Sequence, residues 1–426
     1  MAFASSDYDV IVAGGGPAGA AVATLTADAG HRVLLVERSP EPAFKVGESL
    51  MPACYWILGR MGALDQMKTS AFPKKYSVQF FGPDGRGFSP FYFRDTDPHE
   101  CSQTWQVRRS EFDQMLLDNA AGKGVEVRRG VTLKDVSFDG DGDGDGDGGR
   151  LTGVEVEEAG DSSGRSTLGS KVFVDATGQS AFLARKLGLV DTEPRLKNVA
   201  FYTHYDGARF DDGIDAGATL ILHTAEKKSW FWFIPQPGGR VSVGVVGSVG
   251  HMIEGRVADP ETVFAEELEH CAALQPRLEG ARRVEKMRAI RDFSYRSRRI
   301  SGPGWVLAGD AFGFIDPIYS TGVFLALASG EMAADAINDA LAAGDLSAER
   351  LGAFEDRYRE GLDALKKLVY AYYDPRFSFA KFVKRYPHLR DELVDMLVGN
   401  VYRKPVDRMV AALDEVFAGE PTPAGA

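Results

Sequence analysis

Gly14, Gly16 and Gly19 are spaced Gly-x-Gly-x-x-Gly, directly after the apolar run Tyr8 to Ala13 and at the head of an Ala-rich stretch reaching about Gly30. Glu37 closes the next apolar run, Arg32 to Glu37, and Arg38 follows it. This pattern suits a dinucleotide. Gly14 permits a tight turn, Gly16 lets the backbone approach a pyrophosphate, Gly19 allows close helix packing, and an acid at Glu37 accepts hydrogen bonds from a ribose. A second group stands out by its residue types. Trp230 to Pro235 reads Trp-Phe-Trp-Phe-Ile-Pro, which as a strand puts Trp230, Trp232 and Ile234 on one face and Phe231 and Phe233 on the other.

These groups need a scaffold, and the sequence predicts one. Residues 8 to 37 form a βαβ unit, which implies a doubly wound α/β sheet. The pattern resumes after an excursion, with a helix over Phe112 to Ala121 and strands at Val125 to Val127, Leu151 to Val156 and Val172 to Ala176. Between them the Asp-Gly tract Asp139 to Gly149 reads as an exposed hairpin loop, and its spacing fits no EF-hand or nonapeptide calcium repeat. Val199 to Tyr205, Thr219 to His223, Trp230 to Ile234 and Arg240 to Val246 are β-rich runs parted by turns, and they predict an antiparallel sheet. The chain is expected to turn helical after Gly309 through Ala343 and to end in a helical C-terminal region, with Glu420 to Ala426 frayed.

A chain of 426 residues calls for more than one packed unit. The expected division is a discontinuous nucleotide-binding domain over 1–76, 101–190 and 288–345, a β-sheet substrate domain over 77–100 and 191–287, and a helical region over 346–426. A formal charge of −12 argues against nucleic acid or an anionic membrane surface as a partner. The N-terminal apolar run carries Asp7 and Asp9 before it and no basic segment, so it reads as strand rather than signal peptide, and no apolar run suggests a membrane span. A cytoplasmic location is expected. Cys54, Cys101 and Cys271 are far apart, with neither disulfide nor metal spacing, so no metal site is expected.

Gly309-Asp310-Ala311 after an apolar strand resembles the second FAD motif of the para-hydroxybenzoate-hydroxylase-like flavoproteins, in which the Asp binds the ribityl chain. Val174-Asp175-Ala176-Thr177-Gly178 resembles their intermediate motif, and Arg109, within Gln106-Val-Arg-Arg-Ser-Glu-Phe-Asp113, their FAD-contacting arginine. Trp230 to Pro235 then resembles the W-x-W-x-I-P motif of flavin-dependent halogenases, and Phe314-x-x-Pro317-x-x-Ser320-x-Gly322 their F-x-x-P-x-x-S-x-G motif. Lys45-Val-Gly-Glu-Ser-Leu-Met-Pro52 and Phe72-Pro73-Lys74-Lys75-Tyr76 are similar to the corresponding segments of members that act on carrier-tethered pyrroles and phenols.

The resemblance implies a Rossmann-like FAD-binding domain with an inserted antiparallel β-sheet substrate domain and a helical C-terminal extension. Its reaction uses FADH2 and O2 to oxidise chloride or bromide to hypohalous acid, which a lysine guides to an electron-rich ring. Lys75 is the candidate, with Lys74 the alternative. FAD contacts are implied for Gly14, Gly16, Gly19, Glu37, Arg38, Ser49, Arg109, Asp310 and Gly322, a halide site for Thr321 and Gly322, and an active-site wall for Trp230, Trp232, Pro317, Tyr319 and Ser320. Tryptophan halogenases carry Glu where this chain has Tyr319, so a carboxylate role does not carry over and free tryptophan is disfavoured as substrate. Implied partners are a separate flavin reductase and an acyl or peptidyl carrier protein. A carrier would need a basic face, for which Arg282, Arg283, Lys286, Arg288 and Arg291, or Arg403, Lys404 and Arg408, are candidates. Rival readings are a single-component aromatic hydroxylase, a geranylgeranyl-reductase-like flavoprotein, and a flavin-binding scaffold without catalysis.

Overall fold

The computed structural model describes residues 7–41, 44–140, 149–160, 164–256, 259–291 and 293–417. The buried apolar runs Tyr8–Ala13 and Val33–Glu37 lie parallel to each other in one sheet, as expected for residues covered on both faces. Arg165–Asp175 pairs parallel on the other side of Tyr8–Ala13 and is itself followed by Trp305–Leu307, while Glu126–Arg129 lies outside Val33–Glu37. Val131–Phe138 and Leu151–Glu158 form antiparallel arms beside this sheet. The expected hairpin therefore has its arms in place, but most of its Asp-Gly tip lies outside the described residues, as does the C-terminal end from residue 418.

Pro17 starts the first helix, Pro17–Asp28, at a position where its missing N–H costs nothing. Its small residues let it pack closely on the long helix Thr321–Ala343. At their crossing a Cβ on Gly330 would stand 2.7 Å from the Ala18 carbonyl oxygen. This long helix begins later than the sequence suggested. Residues 312 to 320 are instead a short strand, Gly313–Phe314, and a turn through Pro317, because proline and a left-handed Ser320 (φ 58°) interrupt helical geometry.

The second sheet contains Asn198–Asp206, Arg240–Ser248, Ser229–Gln236 and Thr219–His223 in that spatial order. These strands pair antiparallel, but Thr219–His223 then pairs parallel with Ser77–Phe81, so the sheet is not antiparallel throughout. Arg288–Arg291, on the nucleotide-domain side of the boundary drawn at residue 288, pairs with Val199 to Tyr202 of this second sheet. The two faces separate as the alternation predicts. Trp230, Trp232 and Ile234 join the main core beside the first sheet, and Phe231 and Phe233 join a separate core under the helix Pro260–Glu269. The described residues beyond the long helix are mainly helical, led by the amphipathic Glu355–Tyr373. No helix among the described residues is long and apolar enough to cross a membrane. Gly330→Val should overpack the helix crossing and cost about 1–3 kcal/mol, read as a lower Tm of the flavin-free protein.

Candidate active site

A cavity of about 540 Å³ runs between the two sheets and brings most of the sequence-derived residues together. Gly14, Gly16, Glu37 and Arg38 line it, together with Ser49, Arg109 and Asp310 and with Trp230, Trp232, Pro317, Ser320 and Gly322.

The glycine turn fits a dinucleotide. Gly14 has φ +113° and a Cβ there would lie 2.1 Å from the Ala176 oxygen, so the turn demands glycine. Gly19 packs against Gly14, its added Cβ falling 1.9 Å from that residue's carbonyl oxygen. Gly16 differs, since a Cβ would meet nothing within 4 Å and its side of the backbone is open where a pyrophosphate would approach the helix N-terminus. Glu37 accepts from the Gly15 N–H at 2.7 Å and the Ser39 N–H at 2.9 Å. Burial pushes its carboxyl up, but these N–H groups and the Lys45 ammonium outweigh it and hold the group below its ordinary range.

Arg109 is buried, grips Asp113 through two bonds of 2.8 and 3.0 Å and donates to the Val46 carbonyl at 2.6 Å. Asp175, in the intermediate motif, accepts from Thr177 and from the Leu183 N–H and so shapes the turn whose Gly178 and Gln179 reach the cavity. Burial raises the Asp310 carboxyl to about 7 against the pull of Arg109 and Lys45. Such a group can share hydrogen bonds with a polyol hydroxyl in either protonation state.

Lys75 and Lys74 part company. Lys74 is exposed, whereas Lys75 is 2% exposed, its Nζ donating to Ser49 Oγ at 2.8 Å and to the Leu50 carbonyl at 3.2 Å. Burial pushes its amine down to about 7, against an opposing pull from the nearby Cys54. Lys75 does not border the cavity; Ser49 stands between them. Trp230 and Trp232 do border it, their indole N–H groups turned away to Tyr373 and Ser242 at 3.1 Å each.

Two wall or halide candidates are set back. Tyr319 packs on Tyr372 and Phe379 of the C-terminal region and donates to the Leu368 carbonyl at 3.3 Å, so its ring faces that region rather than the indoles. Thr321 is buried, while its neighbours Ser320 and Gly322 line the cavity at the start of the long helix. The basic clusters are partly spent. Arg283 pairs with Glu261 at 3.0 Å, Lys404 with Asp395 at 2.7 Å and Arg408 with Glu392, and Arg403 stacks 4.2 Å over Trp56.

Sequence reasoning passed over several buried polar partners. Glu48 meets His204 Nε2 at 2.8 Å, Gln106 and Thr219 stand behind Ser49, and Asp316 accepts from Tyr373 at 3.1 Å. Gln106 and Asp316 lie inside motifs already read, but polar residues within apolar surroundings were the only signal. For the dinucleotide end, Gly16→Val should leave the Tm of the flavin-free protein unchanged, because Gly16 has φ −82° and open space around it. The same change should weaken FAD binding about 10-fold or more, a loss of at least ~1.4 kcal/mol, measured by flavin fluorescence titration.

The family model described as tryptophan halogenase matches residues 9–106 and 88–378. The chain is 29% identical over 437 residues to the 1H-pyrrole-2-carbonyl-(peptidyl-carrier protein) chlorinase of Pseudomonas fluorescens, covering 97% of this chain and 93% of the relative. It is 31% identical over 395 residues to the corresponding brominase of Pseudoalteromonas luteoviolacea, covering 92% of each. Among solved structures it is similar to the flavin-dependent brominase Bmp2, with a TM-score of 0.84, 30% identity, and coverage of 97% of this chain and 100% of that one. A cavity lined by an open glycine turn, with a buried lysine behind its Ser49, thus accompanies a family match across most of the chain, and the protein belongs to the tryptophan-halogenase family of flavin-dependent halogenases.

Proposed function

We propose that this halogenase uses FADH2 supplied through a separate flavin reductase to halogenate an electron-rich pyrrole or phenol borne on a peptidyl or acyl carrier protein. Reduced FAD supplies, with O2, the two-electron oxidation that turns chloride or bromide into hypohalous acid. The observation that carries the reading is Lys75, a buried amine one hydroxyl away from the cavity. A lysine lowered to about 7 offers both an ammonium that donates to hypohalous acid and an amine that can take its halogen. In the second case an N–X bond forms, water leaves, and the ring carbon then takes X while its proton restores the amine.

The carrier-bound pyrroles named for two similar proteins support the substrate class. So does Tyr319, which stands where a carboxylate would assist a less reactive ring and turns instead into the C-terminal aromatic cluster. Electron-rich rings accept electrophilic halogen without that help. Gly14, Gly16, Glu37, Arg38, Ser49, Arg109 and Asp310 are the residues that would hold FAD, with Gly19 packing the turn behind them. The N–H groups at the start of the helix Thr321–Ala343, those of Thr321 and Gly322, are suited to a halide. Trp230 and Trp232 would keep organic substrate from the flavin so that halide reacts first.

The reading is tested with a flavin reductase, chloride or bromide, and pyrrolyl carrier protein compared with free phenols, products being read by mass spectrometry. Lys75→Ala should abolish halogenation while FAD still binds. Lys75→Arg, which keeps a permanent charge, should be equally inactive if the free amine is required, and in that case the wild-type rate should rise as pH passes about 7. NADPH-driven hydroxylation without added reductase would refute the proposal.

A further inference from the structure

Two hydroxyls stand between Lys75 and the cavity. Ser49 Oγ, which accepts from Lys75 at 2.8 Å, lies 2.8 Å from Thr219 Oγ1, and both residues line the cavity. Gln106 Nε2 donates to Thr219 Oγ1 at 2.9 Å and to the Gly217 carbonyl at 2.9 Å. That carbonyl can only accept, so the nitrogen rather than the oxygen of the Gln106 amide must face the pair. Ser49, Lys75 and Thr219 are each 2% exposed and Gln106 is fully buried, so bulk water does not compete for these bonds.

Counting hydrogens leaves the group with one to spare, whichever of the two hydroxyls donates to the other. Ser49 accepts from Lys75, and Thr219 accepts from Gln106, which leaves two hydroxyl hydrogens to place. One closes the bond between Ser49 and Thr219. The second is surplus to that bond, and since both residues line the cavity, a group bound there is an acceptor it can reach.

The scaffold holds this geometry through three separate pairings. Lys75 is fixed opposite Thr104 in a short antiparallel ribbon, Ser49 bridges Gln106, and Thr219 pairs with Val78. Gly217 lets the segment before Thr219 touch the ribbon, since a Cβ there would stand 2.0 Å from the Lys74 carbonyl oxygen.

We propose that Ser49 and Thr219, held by Gln106, form a proton relay that couples Lys75 to the flavin cavity and presents an O–H to the oxygen of hypohalous acid. This rests on the reading of Lys75 as the residue that handles the halogen. In the relay an N–H bond of the ammonium breaks and its electron pair stays on Nζ. The proton bonds to Ser49 Oγ, the Ser49 proton passes to Thr219 Oγ1, and the Thr219 proton leaves to a cavity water. One positive charge moves from lysine to cavity and nothing is oxidised or reduced.

The test compares Ser49→Ala, Thr219→Val, Thr219→Ser and Lys75→Ala in the bromide assay with pyrrolyl carrier protein, alongside FAD affinity. It also follows Lys75 in flavin-free protein by NMR of lysine labelled with 13C at Cε. Thr219→Val, which keeps the shape and removes the hydroxyl, should lower kcat at least about 10-fold with FAD affinity retained, and Thr219→Ser should recover most of the rate. Ser49→Ala should move the Lys75 titration to lower pH, because the ammonium loses an oxygen that stabilises it. Equal losses in Thr219→Ser and Thr219→Val would overturn the relay in favour of packing. So would wild-type rates and an unmoved Lys75 titration in Ser49→Ala and Thr219→Val, where Lys75→Ala is inactive. Wild-type halogenation by Lys75→Ala would instead sink the reading of the lysine.

Discussion

An ammonium taken out of water without a carboxylate beside it is expensive to hold, and Lys75 is held in that way. Among the described residues its hydrogen-bond acceptors are one hydroxyl and one carbonyl, with the Phe93 ring 5.4 Å from Nζ. The fold tolerates this by lowering the pKa rather than by pairing the charge. Everything around the lysine serves that compromise. The ribbon at Lys74–Lys75 fixes its backbone, and the isolated bridge at Ser49 and the strand carrying Thr219 bring the partial charges that an ion pair would otherwise supply. A carboxylate in contact would hold the amine protonated far above neutral pH, and a fully apolar site would leave all its hydrogens unsatisfied.

At the dinucleotide end charge is managed chiefly by backbone donors, with the Lys45 ammonium in support. Glu37 accepts from backbone N–H groups, and the ion pair of Arg109 with Asp113 is turned partly away from the cavity towards the helix Arg109–Gly122. The cavity is thus lined by glycine backbone, hydroxyls and indoles more than by free charges. Its shape depends on close helix packing, because the Gly330 approach to Ala18 lets the long helix bring its N-terminus to the cavity while its body lies against the glycine-turn helix.

Local rules made the nucleotide end legible from sequence. The Gly14 to Gly19 turn, the flanking strands and Glu37 obey constraints within about one supersecondary unit, and the structure has them where the pattern places them. The alternation in Trp230 to Pro235 likewise predicted which rings share a core. What sequence could not resolve were long-range partners. Nothing near Lys75 in the chain announces Thr219, and nothing near Tyr319 announces Tyr372, since these meetings arise from sheet pairing and from the return of the C-terminal helices. The late start of the long helix was missed for the opposite reason. An apolar run from Ala311 to Leu327 looks helical by composition, while Pro317 and the left-handed Ser320 decide its first part locally.

The C-terminal helices are joined to the site by a buried polar chain rather than by apolar contact alone. Trp230 Nε1 donates to Tyr373 Oη, 143 residues away, and that hydroxyl donates to Asp316, which also accepts from Asn198 and the Ile318 N–H. Burial raises the Asp316 carboxyl to about 7 even against these three donors. The orientation of the indole is therefore set jointly by the helix Glu355–Tyr373, the turn before the long helix and the start of the strand Asn198–Asp206. If Trp230 is a wall between flavin and organic substrate, its angle is a property of the whole molecule. Removing the C-terminal helices would leave the indole N–H, the Asp316 carboxyl and the Asn198 amide competing for water in what is now a buried interior.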